Sequence, residues 1–148
     1  MARVDSLRGA VYGIIDPLTD WLARKRVHPN LLTTVGFAST VSAAFAFHFH
    51  DMRLAGFLVL LGGFFDILDG RVARLTSLGS KFGAFYDSTL DRISEIAVFL
   101  GMLSLYNDQR QSVGDVGMIY LIMLAMAGSL MISYTRARAE SLGLDCRV

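Results

Sequence analysis

One cysteine, Cys146, stands in 148 residues, so no internal disulfide can form and no cysteine-built zinc site is possible. Net charge is nearly absent too. The 14 basic and 13 acidic residues leave +1, and no nucleic-acid partner is expected. Residues 1–26 carry charge throughout and have no apolar core or small-residue cleavage site, so a secretory leader is not expected. No internal repeat or low-complexity tract interrupts the chain, and its length suits a single domain. What the chain has is apolar surface. Hydrophobic residues make up 53% of it and mean hydropathy is +0.48, high for a soluble protein.

Two stretches, Val27 to His50 and Val116 to Thr135, contain no Asp, Glu, Lys or Arg. Each meets the length of about 18 residues needed to cross a bilayer as a helix. Two shorter apolar runs, Leu54 to Phe65 and Ile96 to Asn107, reach that length only by extending into segments that carry aspartates. The pattern predicts a second helix from Leu54 to Arg74 and a third from Phe82 to Tyr106, joined by short connections. The expected fold is all-α: a polytopic membrane bundle of four transmembrane helices over residues 27–148. An interfacial amphipathic helix over residues 1–26 precedes it.

Charge placement agrees. With a cytoplasmic N-terminus, that side holds Arg3, Arg8, Arg24, Lys25, Arg26, Arg71, Arg74, Lys81, Arg136, Arg138 and Arg147. The other side holds Arg53 and Arg110, while Arg92 lies within the third helix. This is the positive-inside bias. It predicts an integral protein of a bacterial or archaeal cell membrane, with its active site on the cytoplasmic side. In the first segment Leu7, Ala10, Val11, Ile14, Leu18, Trp21 and Leu22 recur at helical spacing. Trp21 and the Arg24-Lys25-Arg26 cluster suit the headgroup level. Pro29-Asn30 is the expected start of the first spanning helix.

A charge inside a bilayer costs several kcal/mol unless it is paired, hydrated or bound to metal. Asp66 and Asp69 are three apart near the cytoplasmic end of the second helix, and Asp87 and Asp91 four apart near that end of the third. Each pair shares one helical face, and the short connection predicts that the two helices are antiparallel neighbours. Four converging carboxylates repel one another until a hard divalent cation joins them. An oxygen-rich site selects Mg²⁺, Mn²⁺ or Ca²⁺ over softer metals, with Mg²⁺ or Mn²⁺ the expected cofactor, and bridging aspartates could hold two ions. Gly70 and Ala73 share the face of Asp66, and Gly83 that of Asp87. Such small residues either pack helices closely or leave room for a substrate. Arg74 and Lys81 flank the connection, placed to meet phosphate oxygens. Arg92 and Glu95, three apart, are read as an ion pair. His28, His48 and His50 have no metal or triad spacing.

Residues 66 to 91 spell D-x2-D-G-x2-A-R-x8-G-x3-D-x3-D. This pattern resembles, at every fixed position, the signature of the CDP-alcohol phosphatidyltransferase family. The resemblance extends to His28-Pro29-Asn30-Leu31-Leu32-Thr33 and to Ser133-Tyr134-Thr135-Arg136-Ala137-Arg138-Ala139-Glu140. It implies displacement of CMP from a CDP-linked lipid, CDP-diacylglycerol, by the hydroxyl of an acceptor alcohol. By the same resemblance Asp66, Asp69, Asp87 and Asp91 bind metal, with Asp91 a ligand or the general base. Asn30, Thr33, Gly70, Ala73, Arg74, Lys81 and Gly83 are expected around the CDP group.

The segment after the fourth helix most resembles members that use inositol phosphate, the phosphatidylinositol-phosphate synthase type. Arg136 and Arg138 match positions that hold the acceptor phosphate, although residues two apart cannot both face one point on a regular helix. Glycerol 3-phosphate is the second candidate acceptor. The resemblance also implies six spanning helices and common dimers, so this chain is expected to lack the last two helices. Outside the family, a membrane cation transporter and a prenyltransferase offer rival readings of the aspartates; the D-G-x2-A-R spacing argues against the first, and protection by cytidine nucleotides and not by prenyl diphosphates would separate the second.

Overall fold

The structure, a computed structural model, describes residues 15–106 and 113–144. Expectations resting on residues 1–14, Arg110, Cys146 and Arg147 lie outside it. Every regular element among the described residues is helical: α1 (15–24), α2 (Pro29–His48), α3 (Met52–Leu75), α4 (Lys81–Ser104) and α5 (Val113–Ser141).

Local chemistry sets the helix starts. Pro29 opens α2, where its missing N–H costs nothing. The N-cap His28 Nδ1 accepts from the Asn30 N–H at 3.2 Å. The Asp51 carboxylate accepts from Leu54 N–H at 3.0 Å ahead of α3, and Ser80 Oγ accepts from Gly83 N–H at 2.9 Å ahead of α4. Arg26 and His50, at φ 52° and 61°, turn the chain sharply before α2 and α3.

The packing qualifies one expectation. α3 and α4 do not pack backbone against backbone and meet through side chains; α2 packs against both of them, and α5 against α4. Small residues explain the choice of partner. A Cβ on Gly36 of α2 would stand 3.1 Å from Phe65 Cβ and 3.2 Å from the Gly62 carbonyl of α3. One on Gly101 of α4 would stand only 2.7 Å from Ala44 Cα of α2. Backbones therefore approach closely along both seams, and α2 occupies the position between the two acid-bearing helices.

One end of the bundle is closed by a cluster of Ile15 and Leu22 from α1, Leu32 from α2, and Leu68 and Val72 from α3. Burial of such side chains is worth about 1.5–3 kcal/mol each where they leave water. The apolar stripe expected on the first helix is thus divided: Leu22 packs on the protein, while Trp21 is exposed. An ion pair between Asp16 and Arg71 adds a polar tie from α1 to α3.

Pro29–His48 and Asp115–Ser141 are long and apolar enough to cross a membrane by length and composition. Large apolar side chains such as Phe45, Phe57, Leu60, Leu124 and Ile132 point outward. An apolar exterior of this extent is foreign to soluble monomers and fits a helical membrane protein.

Candidate active site

Three of the four aspartates meet. One carboxylate oxygen each from Asp66, Asp69 and Asp87 lies within 4.8 Å of the others. Asp69 is the most buried, at 4% exposure. Thr33 Oγ1 of α2 donates to its Oδ2 at 2.5 Å. Asp87 Oδ1 is buried and has no hydrogen-bond partner. A buried acceptor left unpaired costs about 1–3 kcal/mol, more when charged. An orphaned oxygen facing two further carboxylates fits a bound cation, and an all-oxygen donor set selects a hard divalent ion. Asp91 is outside this cluster. It lines the same cavity of about 320 Å³ as the three, together with Thr33, Arg92 and Glu95.

A second cavity, about 490 Å³, opens on the other side of Asp69 and Asp87. Asn30, Thr33, Gly70, Ala73, Arg74, Lys81 and Gly83 all line it, so three separate helices bring together every residue the sequence associated with CDP. A Cβ on Gly83 would stand 3.0 Å from Asn30 Oδ1 and 3.3 Å from Ser80 Oγ. Glycine is what allows α4 to approach Asn30 there. Arg74 also borders a cavity of about 610 Å³ with Asp66, Asp69 and Asp87, which puts a guanidinium beside the acids at the mouth of the site.

A fourth space, about 480 Å³, lies between α4 and α5 and is lined by Ser88, Asp91, Arg92, Ser133, Tyr134 and Arg136. Arg136 Nε donates to Glu140 Oε1 at 3.2 Å. Arg138 is exposed and does not line this space, so the two arginines part as helical geometry requires. Asp91 and Arg92 belong to both the 320 Å³ and the 480 Å³ cavities.

The Arg92–Glu95 pair forms at 2.5 Å, and Ser129 of α5 also donates to Glu95. That second bond, and the one from Thr33 to Asp69, were not read from the sequence. Their signal there is a hydroxyl among several in an apolar helix.

The family profile of the CDP-alcohol phosphatidyltransferases matches residues 26–145. The archaetidylinositol phosphate synthase of Pyrococcus horikoshii is 35% identical over 140 residues, covering 95% of this chain and 70% of that protein. The phosphatidylinositol phosphate synthase of Streptomyces avermitilis is 34% identical over 137 residues, covering 91% and 54%. The phosphatidylinositol phosphate synthase of Mycobacterium tuberculosis, solved with CDP-DAG bound, superposes with a TM-score of 0.77 at 32% identity, covering 91% and 67%. The same enzyme has been solved with manganese and citrate, at a TM-score of 0.78 and covering 90% and 63%. The chain thus spans between 54% and 70% of the length of these relatives. With most of its length matched by the profile and its acids gathered between α3 and α4, the chain belongs to the CDP-alcohol phosphatidyltransferase family.

Proposed function

We propose that this chain carries the catalytic site for metal-dependent transfer of a phosphatidyl group from CDP-diacylglycerol to the hydroxyl of inositol phosphate, releasing CMP. The observation that supports it is the continuity of the lining. Asp69 and Asp87 border both the 490 Å³ and the 320 Å³ cavities, and Asp91 borders the latter and the space beneath Arg136. The 320 Å³ cavity, lined by all four acids, therefore shares Asp69 and Asp87 with a nucleotide-side pocket and Asp91 with an acceptor-side space.

Asp66, Asp69 and Asp87 are the residues that would hold Mg²⁺ or Mn²⁺, with Asp91 completing a site for two ions. Bound there, metal neutralises the diphosphate and stabilises charge as the phosphorus–oxygen bond breaks. Gly70, Ala73 and Gly83 leave space for the cytidine, bordered by Asn30 and Thr33, and Arg74 and Lys81 face the phosphates. Arg136 draws the acceptor phosphate into the α4–α5 space. Asp91 takes the proton from the acceptor hydroxyl. The acceptor oxygen bonds to the lipid-side phosphorus, the bridging phosphorus–oxygen bond breaks, and CMP leaves with the electron pair. The relatives named for inositol-phosphate products favour inositol phosphate over glycerol 3-phosphate.

In the membrane, α2 to α5 are the four spans, with α1 and the arginine-rich ends in the cytoplasm. Lipid tails then stay in the bilayer while CMP leaves to water. The test is CMP release from CDP-diacylglycerol in liposomes containing the full chain and Mg²⁺. Release should depend on both Mg²⁺ and inositol phosphate. Release with glycerol 3-phosphate alone would overturn the acceptor, and metal flux without cytidine-nucleotide binding would favour a transporter.

A further inference from the structure

Arg92 raises a problem for the site beside it. Its side chain lines the cavity that contains Asp66, Asp69, Asp87 and Asp91. A guanidinium is always charged and forms bidentate pairs with carboxylates. Left to itself, it would settle on the very oxygens that a divalent ion requires.

The structure holds it elsewhere. Arg92 Nη1 donates to Glu95 Oε2 at 2.5 Å. Glu95 lies one turn C-terminal to Arg92, whereas Asp87 and Asp91 lie on its N-terminal side. The pairing therefore commits the guanidinium to the Glu95 end of α4. The other oxygen, Glu95 Oε1, accepts from Ser129 Oγ on α5. With both oxygens engaged, from two helices, the Glu95 carboxylate has a fixed direction. An ordinary flanking ion pair on a helix surface would need no such brace.

We propose that Glu95 is a positioning residue for the metal site, holding Arg92 in the wall between the 320 Å³ and 480 Å³ cavities and off the carboxylates of Asp66, Asp69 and Asp87. This rests on the metal-dependent reading given above. The role is distinct from metal ligation, because both Glu95 oxygens are already engaged, by Arg92 and by Ser129.

The test is equilibrium Mn²⁺ binding by the purified full chain, read from the paramagnetic resonance of free Mn²⁺ and so independent of turnover. Glu95→Gln keeps the side-chain volume and an acceptor for Ser129 but loses the charge that holds Arg92. Its Mn²⁺ affinity should fall about 10–100-fold, the usual effect of removing an outer partner of a metal site. In the double variant Glu95→Gln/Arg92→Gln the competing cation is gone, and affinity should return to within about twofold of wild type or exceed it. Equal losses in the single and double variants would show a merely structural role and overturn the inference. Unchanged affinity in Glu95→Gln would overturn it as well. A wild-type chain that binds no Mn²⁺ would overturn the metal reading beneath it, a result distinct from either of these.

Discussion

The hydroxyl of Thr33 on α2 donates a 2.5 Å hydrogen bond to the carboxylate of Asp69 on α3, 36 residues further along the chain. It aims an almost fully buried metal-binding candidate from a neighbouring helix. Thr33→Val keeps the shape and removes the donor. Mn²⁺ affinity should fall about 10–100-fold, while Thr33→Ser should retain most of it. Equal affinities for the valine variant and wild type would refute the aiming role.

The close approach of Gly83 to Asn30 gives a prediction on the nucleotide side. Gly83→Val places atoms where Asn30 Oδ1 and Ser80 Oγ already stand. Overpacking of this kind costs about 1–3 kcal/mol; carried onto the bound state, that lowers cytidine-nucleotide affinity by about 5–150-fold. Nucleotide binding by equilibrium dialysis is the measurement, with Mn²⁺ binding retained as the control.

Arg136 and Arg138 should behave differently. Arg136 borders the α4–α5 space with Asp91, and Arg138 does not. Loss of a charged hydrogen bond costs about 1.5–3 kcal/mol. Arg136→Gln should therefore raise the KM for inositol phosphate about 10–100-fold, leaving the KM for CDP-diacylglycerol unchanged. Arg138→Gln should shift neither. Steady-state kinetics in liposomes of the two variants side by side decide it.

Gly101 tests the packing alone. A methyl group there would lie 2.7 Å from both Cα and the carbonyl oxygen of Ala44, and backbone cannot swing aside. Gly101→Ala should destabilise the bundle by about 1–3 kcal/mol, read as a lower thermal midpoint in detergent.

Much of the architecture was legible because apolar runs, caps and acids all constrain the same boundaries. A helix expected from Leu54 to Arg74 is found at Met52–Leu75, since Asp51 caps one end and the chain turns extended at Thr76. The seven residues that the resemblance associates with CDP line one cavity, though only Gly70, Ala73, Arg74 and Gly83 hold fixed places in the motif. What could not be read was partnership between helices. Spacing within a helix says that Asp66 and Asp69 share a face; it does not say what lies opposite. The intervening position of α2 follows from Gly36 meeting Gly62 and Gly101 meeting Ala44, a register between elements far apart in sequence. Asp91 shows the same limit. Its spacing from Asp87 puts it on the right face, but the oxygens that meet are those of the other three acids.

The separation of α3 from α4 has a thermodynamic consequence. Among the described residues the backbones of α3 and α4 do not pack on each other, and an ion shared by Asp66, Asp69 and Asp87 would be a cross-link between them. Whatever binds the folded bundle alone adds its binding free energy to stability. Chelation would then loosen α4, and α5 with it, from the remainder of the bundle. The unfolding temperature would rise with the logarithm of free Mg²⁺, making the ion a fastener as well as a reagent.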